Sequence, residues 1–311
     1  MKFAAVMLVV LGVVGTVAIV RFFWSAVREG VQGGMAQARA TIAAANAAAA
    51  EADAALIAQA RAELDALDAD APGARMGLLL AAPFRELLFH GSLLPLRWGG
   101  KLAEEDDPFW LQAAALPPDK LDNARQMLAR DWDVSDADSL KQVAGWLLSD
   151  GHRGEIADVF HTAADLAALP GARQDAALSE MPKDVREAVR VALAASSAVG
   201  DAHGDAWDIA RAAMLASNGL AVGLLSRDEA GSLLHACWDE AQGSFTGWDH
   251  YAASLMAGAD VWMRLAEVRF AKFQRGWWRR TLDWLLADPR SPWVEHPWPK
   301  GLPAPWTPRP L

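Results

Sequence analysis

"GDAWDIARAAMLASNG", residues 204–219, decides the fold class. Alanine is its commonest residue and no period-two alternation runs through it, so it reads as helix and not strand. Asp205 stands where a cap is expected. Asn218 and Gly219 tolerate the left-handed conformation that closes helices. Inside the stretch, Asp208 and Arg211 lie three apart on one face and can pair. Asp208 also falls in the first turn, where a negative charge suits the helix dipole. A structural pair accounts for both residues. A functional site needs, in addition, a second base or a nucleophile brought close by the rest of the fold.

The same punctuation recurs on both sides. Pro117-Pro118 opens a segment that closes near Arg130. Ser135 with Asp138, Ser226 with Glu229 and Thr246 with Asp249 have the form of capping boxes. Asp150-Gly151 and Pro170-Gly171 read as helix stops, and "PKDVREAVRVALAASSAVG" starts on proline and ends on glycine. Residues 247–287 read as one long helix or two, with Gly258 and Gly276 as candidate bends, until Asp288-Pro289. The predicted class is all-α: an N-terminal transmembrane helix, a long alanine-rich helix, then a multi-helix globular domain.

The N-terminal part of that expectation rests on "FAAVMLVVLGVVGTVAIV", residues 3–20, which carries no charge. As a helix it covers roughly 27 Å, close to the bilayer hydrocarbon thickness. Phe22, Phe23 and Trp24 follow where an aromatic belt sits. The run is long for a signal-peptide core and has no clear cleavage site after it, so residues 1–28 read as an uncleaved anchor that meets lipid through residues 3–24. Arg21, Arg28 and Arg39 outweigh Lys2 on the downstream side, which favours a cytoplasmic body on an inner membrane. Residues 29–72 follow, more than half alanine from Met35 to Ala71, and read as a helical stalk ending at Pro72-Gly73. An alanine-seamed coiled coil competes with a plain spacer there, but no strict heptad is sustained. Residues 73–288 form the globular domain, and residues 289–311 a proline- and tryptophan-rich tail.

Composition removes several function classes. The formal charge of −10 argues against nonspecific nucleic-acid binding. Cys237 is the single cysteine, so neither an intrachain disulfide nor a thiolate metal cluster can form. No pair of histidines has the helix-borne zinc spacing, and Asp201, His203, Asp205 and Asp208 in "DAHGDAWD" lack the ligand order of a calcium loop. No metal or cofactor is expected. P-loop, nucleophile-elbow and Cys–His patterns are missing too.

"RDWDVSDAD" at 130–138, "WLLSDGHR" at 146–153, "AWDIARAAMLASNGLAVGLLSRDEA" at 206–230 and "QGSFTGWDHYAASLMAGADVW" at 242–262 occur in that order. This resembles an uncharacterised bacterial family, domain of unknown function 1266, over about residues 110–265. The residues that carry the resemblance are Trp207, Asp208 and Arg211; Gly219, Gly223 and Ser226; and Phe245, Trp248, Gly258 and Trp262. The family often has arginine after the second glycine and tyrosine beside the first, where Ala259 and Leu220 stand here. The resemblance implies a helical module and supplies no reaction.

Two readings of function follow. In the first, the protein is a membrane-anchored, non-enzymatic interaction module that binds a protein partner through Trp207, Asp208, Arg211 and Trp248. An envelope-accessory or toxin-neutralising role would fit. In the second, Asp208, Arg211, His203 and His152 converge in a cleft of a hydrolase-type enzyme. A separate candidate is "RLAEVRFAKFQRGWWRRTLDWLL", residues 264–286, with six cations against two acids. Drawn as one helix, it places Arg275, Arg279 and Arg280 on one arc and Trp277, Trp278 and Trp284 opposite, the pattern of a helix lying at an anionic bilayer. The alternative is a last helix whose tryptophans close the core.

Overall fold

Fourteen consecutive residues, Ala206–Gly219, are buried. A helix buried on every side is a central strut rather than an amphipathic cover, and the rest of the domain is built around it. The computed structural model describes residues 73–84, 118–268, 271–289 and 291–299, with seven helical positions between residues 37 and 62. The chain divides into two units, Met1–Leu56 and Ile57–Leu311. In the first, the described positions from Gln37 to Ala47 are helical and exposed, and Thr41 Oγ1 donates to the Gln37 carbonyl at 3.0 Å. The apolar run at residues 3–20 and most of the alanine-rich stretch lie outside the described residues. Among the described residues no helix is long and apolar enough to cross a membrane.

The second unit is all-helical among its described residues. In chain order the helices are α1 (Ala74–Leu80), α2 (Pro118–Trp132), α3 (Ala137–Ser149), α4 (Arg153–Ala167), α5 (Gly171–Glu180), α6 (Lys183–Val199), α7 (Asp205–Ala221), α8 (Arg227–Ser244), α9 (Trp248–Leu265), α10 (Ala271–Ala287) and α11 (Pro292–Glu295). The strut α7 is flanked by α3, α8, α9 and α1. A second layer forms where α9 packs on α6 and α6 on α4, and α10 closes over α9. Alanines at 206, 210, 212, 213 and 216 keep α7 thin, so its neighbours approach closely. At Gly258 a Cβ would stand 2.6 Å from the Gly204 carbonyl oxygen and 2.8 Å from Trp207 Cβ. Only glycine lets α9 cross the start of α7 at that distance.

Several helix ends differ from expectation. The strut begins after Gly204, which leaves Asp205 as its first residue. It also continues past Asn218-Gly219 to Ala221, and the left-handed residue is Gly223. The first capping box is Asp136 with Ser139, one residue on from Ser135 and Asp138. Thr246 and Asp249 form no box, because Gly247 holds the cap position. The long segment breaks at Ala266–Val268, with Glu267 at φ 48°, and at neither glycine.

The box at Ser226 and Glu229 is present as expected. Ser226 N donates to Glu229 Oε2 at 2.9 Å and Glu229 N to Ser226 Oγ at 3.3 Å. Lys141 Nζ donates to Glu229 Oε1 at 2.8 Å and ties α3 to α8. The Lys141 ammonium, then the Ser226 donors, hold the Glu229 carboxyl down at about 2. Ser226→Ala removes the cap oxygen, and a lower Tm by about 2–4 °C is expected in a thermal melt followed by circular dichroism.

Candidate functional site

The strut carries two buried charges, Asp208 with no exposed surface and Arg211 at 4 %. Isolated charges at such depth are costly, so each must be matched. The Arg211 guanidinium donates from Nη2 to Asp208 Oδ1. It donates from Nε to the Trp207 carbonyl at 3.2 Å. The other carboxylate oxygen, Oδ2, accepts the backbone N–H of His152 at 2.7 Å. That contact reaches the start of α4 from 56 residues away.

The turn that delivers His152 depends on Gly151. Its φ is +50°, and an added Cβ would lie 2.2 Å from Asp208 Oδ2. The residue must therefore be both left-handed and bare. The His152 ring completes the cluster, with Nδ1 2.8 Å from Arg211 Nη2. The same nitrogen lies 3.6 Å from Asp208 Oδ1, so it faces both members of the ion pair. Burial pushes the Asp208 carboxyl up, but the His152 and Arg211 hydrogen bonds and the Arg211 charge outweigh it, and the group lies below the ordinary aspartate range.

Aromatic rings enclose this cluster. The guanidinium carbon lies 4.7 Å from the Trp207 ring centroid, 5.6 Å from that of Trp132 and 5.8 Å from that of Trp262. The His152 ring meets Trp146 edge-on at 5.2 Å and Trp262 at 5.9 Å. On the inner side Trp207 contacts Phe84 and Trp278. On the outer side Trp146 is 41 % exposed, and Trp132, His152 and Trp262 are half-buried.

The structure thus brings Asp208, Arg211 and His152 together but not His203. His203 stacks on Phe160 at 5.1 Å and meets His161 edge-on at 5.2 Å. Phe160 is eight residues along α4 from His152, about 12 Å at 1.5 Å per residue. Burial and the neighbouring His161 lower the His203 pKa, with Asp201 opposing. A cavity of about 350 Å³ lies between the start of α6 and the end of α9. Lys183, Asp184, Glu187, Met263, Arg264, Glu267 and Val268 line it, and none of them belongs to the cluster. Among the described residues no three His, Cys, Asp or Glu groups are arranged to hold a metal. Cys237 is buried and its thiol is pushed up to about 12 by desolvation, so it is inert as a nucleophile.

The expected docking face on Trp207, Asp208, Arg211 and Trp248 is not a face: all four are buried. Trp248 stacks on Trp293 at 4.7 Å and 5°, and its indole donates to the His296 carbonyl at 2.9 Å. The basic helix is also different from the one drawn. Arg264 lies in the last turn of α9, and Arg275 on α10 donates to the buried Asp260 at 2.7 Å. Arg264 pairs with the same carboxylate. Trp278 is 6 % exposed and packs on Phe84 at 4.8 Å. Trp277, Trp284 and Arg280 are half-buried and Arg279 is exposed.

Apart from Phe84, the rings and ions described here fall within one matched region. A family model described as protein of unknown function (DUF1266) covers residues 127–298. The chain belongs to this family. Comparison with curated proteins and with solved structures finds no match. The DUF1266 region extends beyond the resemblance read from residues 110–265, since it includes Trp293 and Trp298 of the tail. It takes in Trp132, Trp146, His152, Asp208, Arg211 and Trp262. Trp132, Trp146 and His152 had no pairing signal in the sequence with Arg211; the one available sign was glycine before His152 in "DGHR".

Proposed function

We propose that this DUF1266 domain is a non-enzymatic docking module, held at the cytoplasmic face of an inner membrane by residues 3–24 and a helical stalk over residues 29–72. The observation that carries the docking part is the half-exposed aromatic ring of Trp132, Trp146, His152 and Trp262 over a closed ion pair. Tryptophans whose edges are fixed by a rigid floor lose little entropy when a partner covers them, which is why they dominate binding hot spots. The hydrolase-type reading needs a carboxylate that substrate can reach. Asp208 has no exposed surface and spends both oxygens internally. His203, its third member, packs elsewhere. The anchor and the stalk are supported by the apolar run at 3–20 and the alanine content that follows. Lipid contact through α10 is not part of the proposal, because Arg275 pairs with Asp260 and Trp278 is buried.

The test places a photo-crosslinking amino acid at position 146 of the full chain in cells, with position 179 on exposed α5 as the reference. A discrete protein adduct from position 146 and none from position 179 is the expected result. Equal adducts from both positions would overturn docking at this face. Ester or phosphoester hydrolysis by the purified chain, lost in His152→Ala, would favour the enzyme instead.

A further inference from the structure

We infer that the partner docks a basic segment, with an arginine side chain seated against Trp146 and its neighbours. The inference rests on the docking reading above and names the chemistry that fits that face.

Three observations support it. First, the rings already hold a guanidinium from the inside: Arg211 lies 4.7–5.8 Å from the centroids of Trp207, Trp132 and Trp262. Tryptophan faces attract guanidinium through the ring quadrupole and by planar stacking. Trp146 is the member with the largest exposed share, and the contact that holds it is His152 edge-on. Second, the charges at the rim are negative and uncompensated. Asp150 follows Trp146 by one turn, its N–H donating to the Trp146 carbonyl at 2.9 Å. Asp133 follows Trp132 directly, turned outward from the helix end by its left-handed backbone at φ 55°. Both are exposed, and among the described residues neither has a cation within ion-pair distance. Third, the cations nearby are already used. Arg153 donates to Glu240 at 2.7 Å, Arg130 to Asp131 at 2.6 Å, and Arg211 to Asp208. The face thus offers aromatic surface and net negative charge together, which selects a cation carried on a planar, weakly hydrated group. Arginine meets that description better than lysine. A chain of net charge −10 adds long-range attraction of the same sign.

The measurement uses the full chain in non-ionic detergent and fluorescein-labelled oligopeptides of alternating arginine and glycine, with lysine–glycine, glutamate–glycine and serine–glycine peptides as comparisons. Fluorescence anisotropy is expected to show saturable binding of the arginine peptide, several-fold weaker binding of the lysine peptide, and none of the other two. Trp146→Ala should weaken the arginine peptide at least tenfold with an unchanged circular dichroism spectrum, since the side chain is substantially exposed. Asp133→Asn with Asp150→Asn should weaken it several-fold and flatten its salt dependence. Two results overturn the inference: equal affinity in wild type and Trp146→Ala, which would mean diffuse attraction to an acidic protein, or preference for the glutamate peptide. If the peptides fail while position 146 still crosslinks a discrete partner, the basic-segment assignment falls and the docking module stands. If both fail, the docking module falls with it.

Discussion

Asp208→Ala is expected to destabilise the domain by about 3–5 kcal/mol, the range for breaking a buried ion pair by removing one partner. The reason is what the substitution leaves behind. Arg211 is 4 % exposed, and without Asp208 its Nη2 keeps the His152 ring nitrogen at 2.8 Å and no counter-charge. The His152 N–H at the start of α4 loses its acceptor as well, and a buried orphan donor costs about 1–3 kcal/mol. The decisive comparison is the double variant Asp208→Leu, Arg211→Met. It removes both charges, so it should recover the part of the loss that comes from the uncompensated Arg211, while the His152 N–H stays without its acceptor. Urea unfolding followed by far-UV circular dichroism reads both. A single-variant cost under about 1 kcal/mol would mean that the pair is solvated and not the floor of the aromatic ring. The pH dependence has a defined sign. The folded-state pKa of Asp208 is depressed, so its contribution is present above the ordinary aspartate value of about 3.9 and is lost as pH falls through the lower folded value. The double variant should therefore lose less stability in that acid window than the wild type.

That cluster also marks how far the sequence could be read. The i, i+3 spacing of Asp208 and Arg211 made their pairing visible, because helix geometry alone places them together. His152 and Trp132 reach Arg211 through tertiary packing, which no local period encodes. The all-α class was legible for the same local reason: capping residues, proline starts and glycine stops act within four residues of chain. Errors arose where two residues satisfy one local rule. Ser135 and Asp136 can each cap, and Asp136 wins because its Oδ1 accepts the Ser139 N–H at 2.8 Å, whereas Ser139 Oγ accepts from both backbone N–H groups at 3.1 Å. Pro170-Gly171 reads as a stop, yet it also opens α5, whose polar sequence buries little more than Leu178. The break between α9 and α10 carries no glycine or proline, and Glu267 takes the left-handed turn unassisted. Trp248 looked available because its own helix gives it no ring partner within a turn except Tyr251; its stacking partner, Trp293, comes from the tail.

Trp293→Ala is expected to be about as costly as the loss of Asp208, about 3–5 kcal/mol for truncating a buried tryptophan. Trp293 is 2 % exposed although it sits in a proline-rich segment beyond α10. Three contacts hold it there. Its ring stacks on Trp248, meets Tyr251 edge-on at 5.9 Å, and its indole N–H donates to the Leu79 carbonyl at 2.9 Å. Tyr251 donates in the same way to the Leu80 carbonyl at 3.0 Å. The last carbonyls of a helix have no partner within it, and α1 receives two of its partners from aromatic side chains of α9 and α11. The substitution therefore opens a cavity and removes a cap from a helix about 210 residues earlier in the chain. Trp293→Phe separates the two effects: it retains most of the stacking area and loses the hydrogen bond, so it should cost about 1–3 kcal/mol. Limited proteolysis supplies an independent reading. In wild type, cleavage at residues 291–299 should require global unfolding; in Trp293→Ala it should precede it, because the segment loses its buried anchor and keeps the Ser291 cap, its packing on α10, the Trp248 bond to the His296 carbonyl and the ring contacts of the half-exposed Trp298. A melt unchanged within about 1 kcal/mol, with the tail cut early in wild type too, would make residues 291–299 an accessory of the domain. The inclusion of residues up to 298 in the DUF1266 match agrees with the opposite result, in which the tail is the last piece of the core.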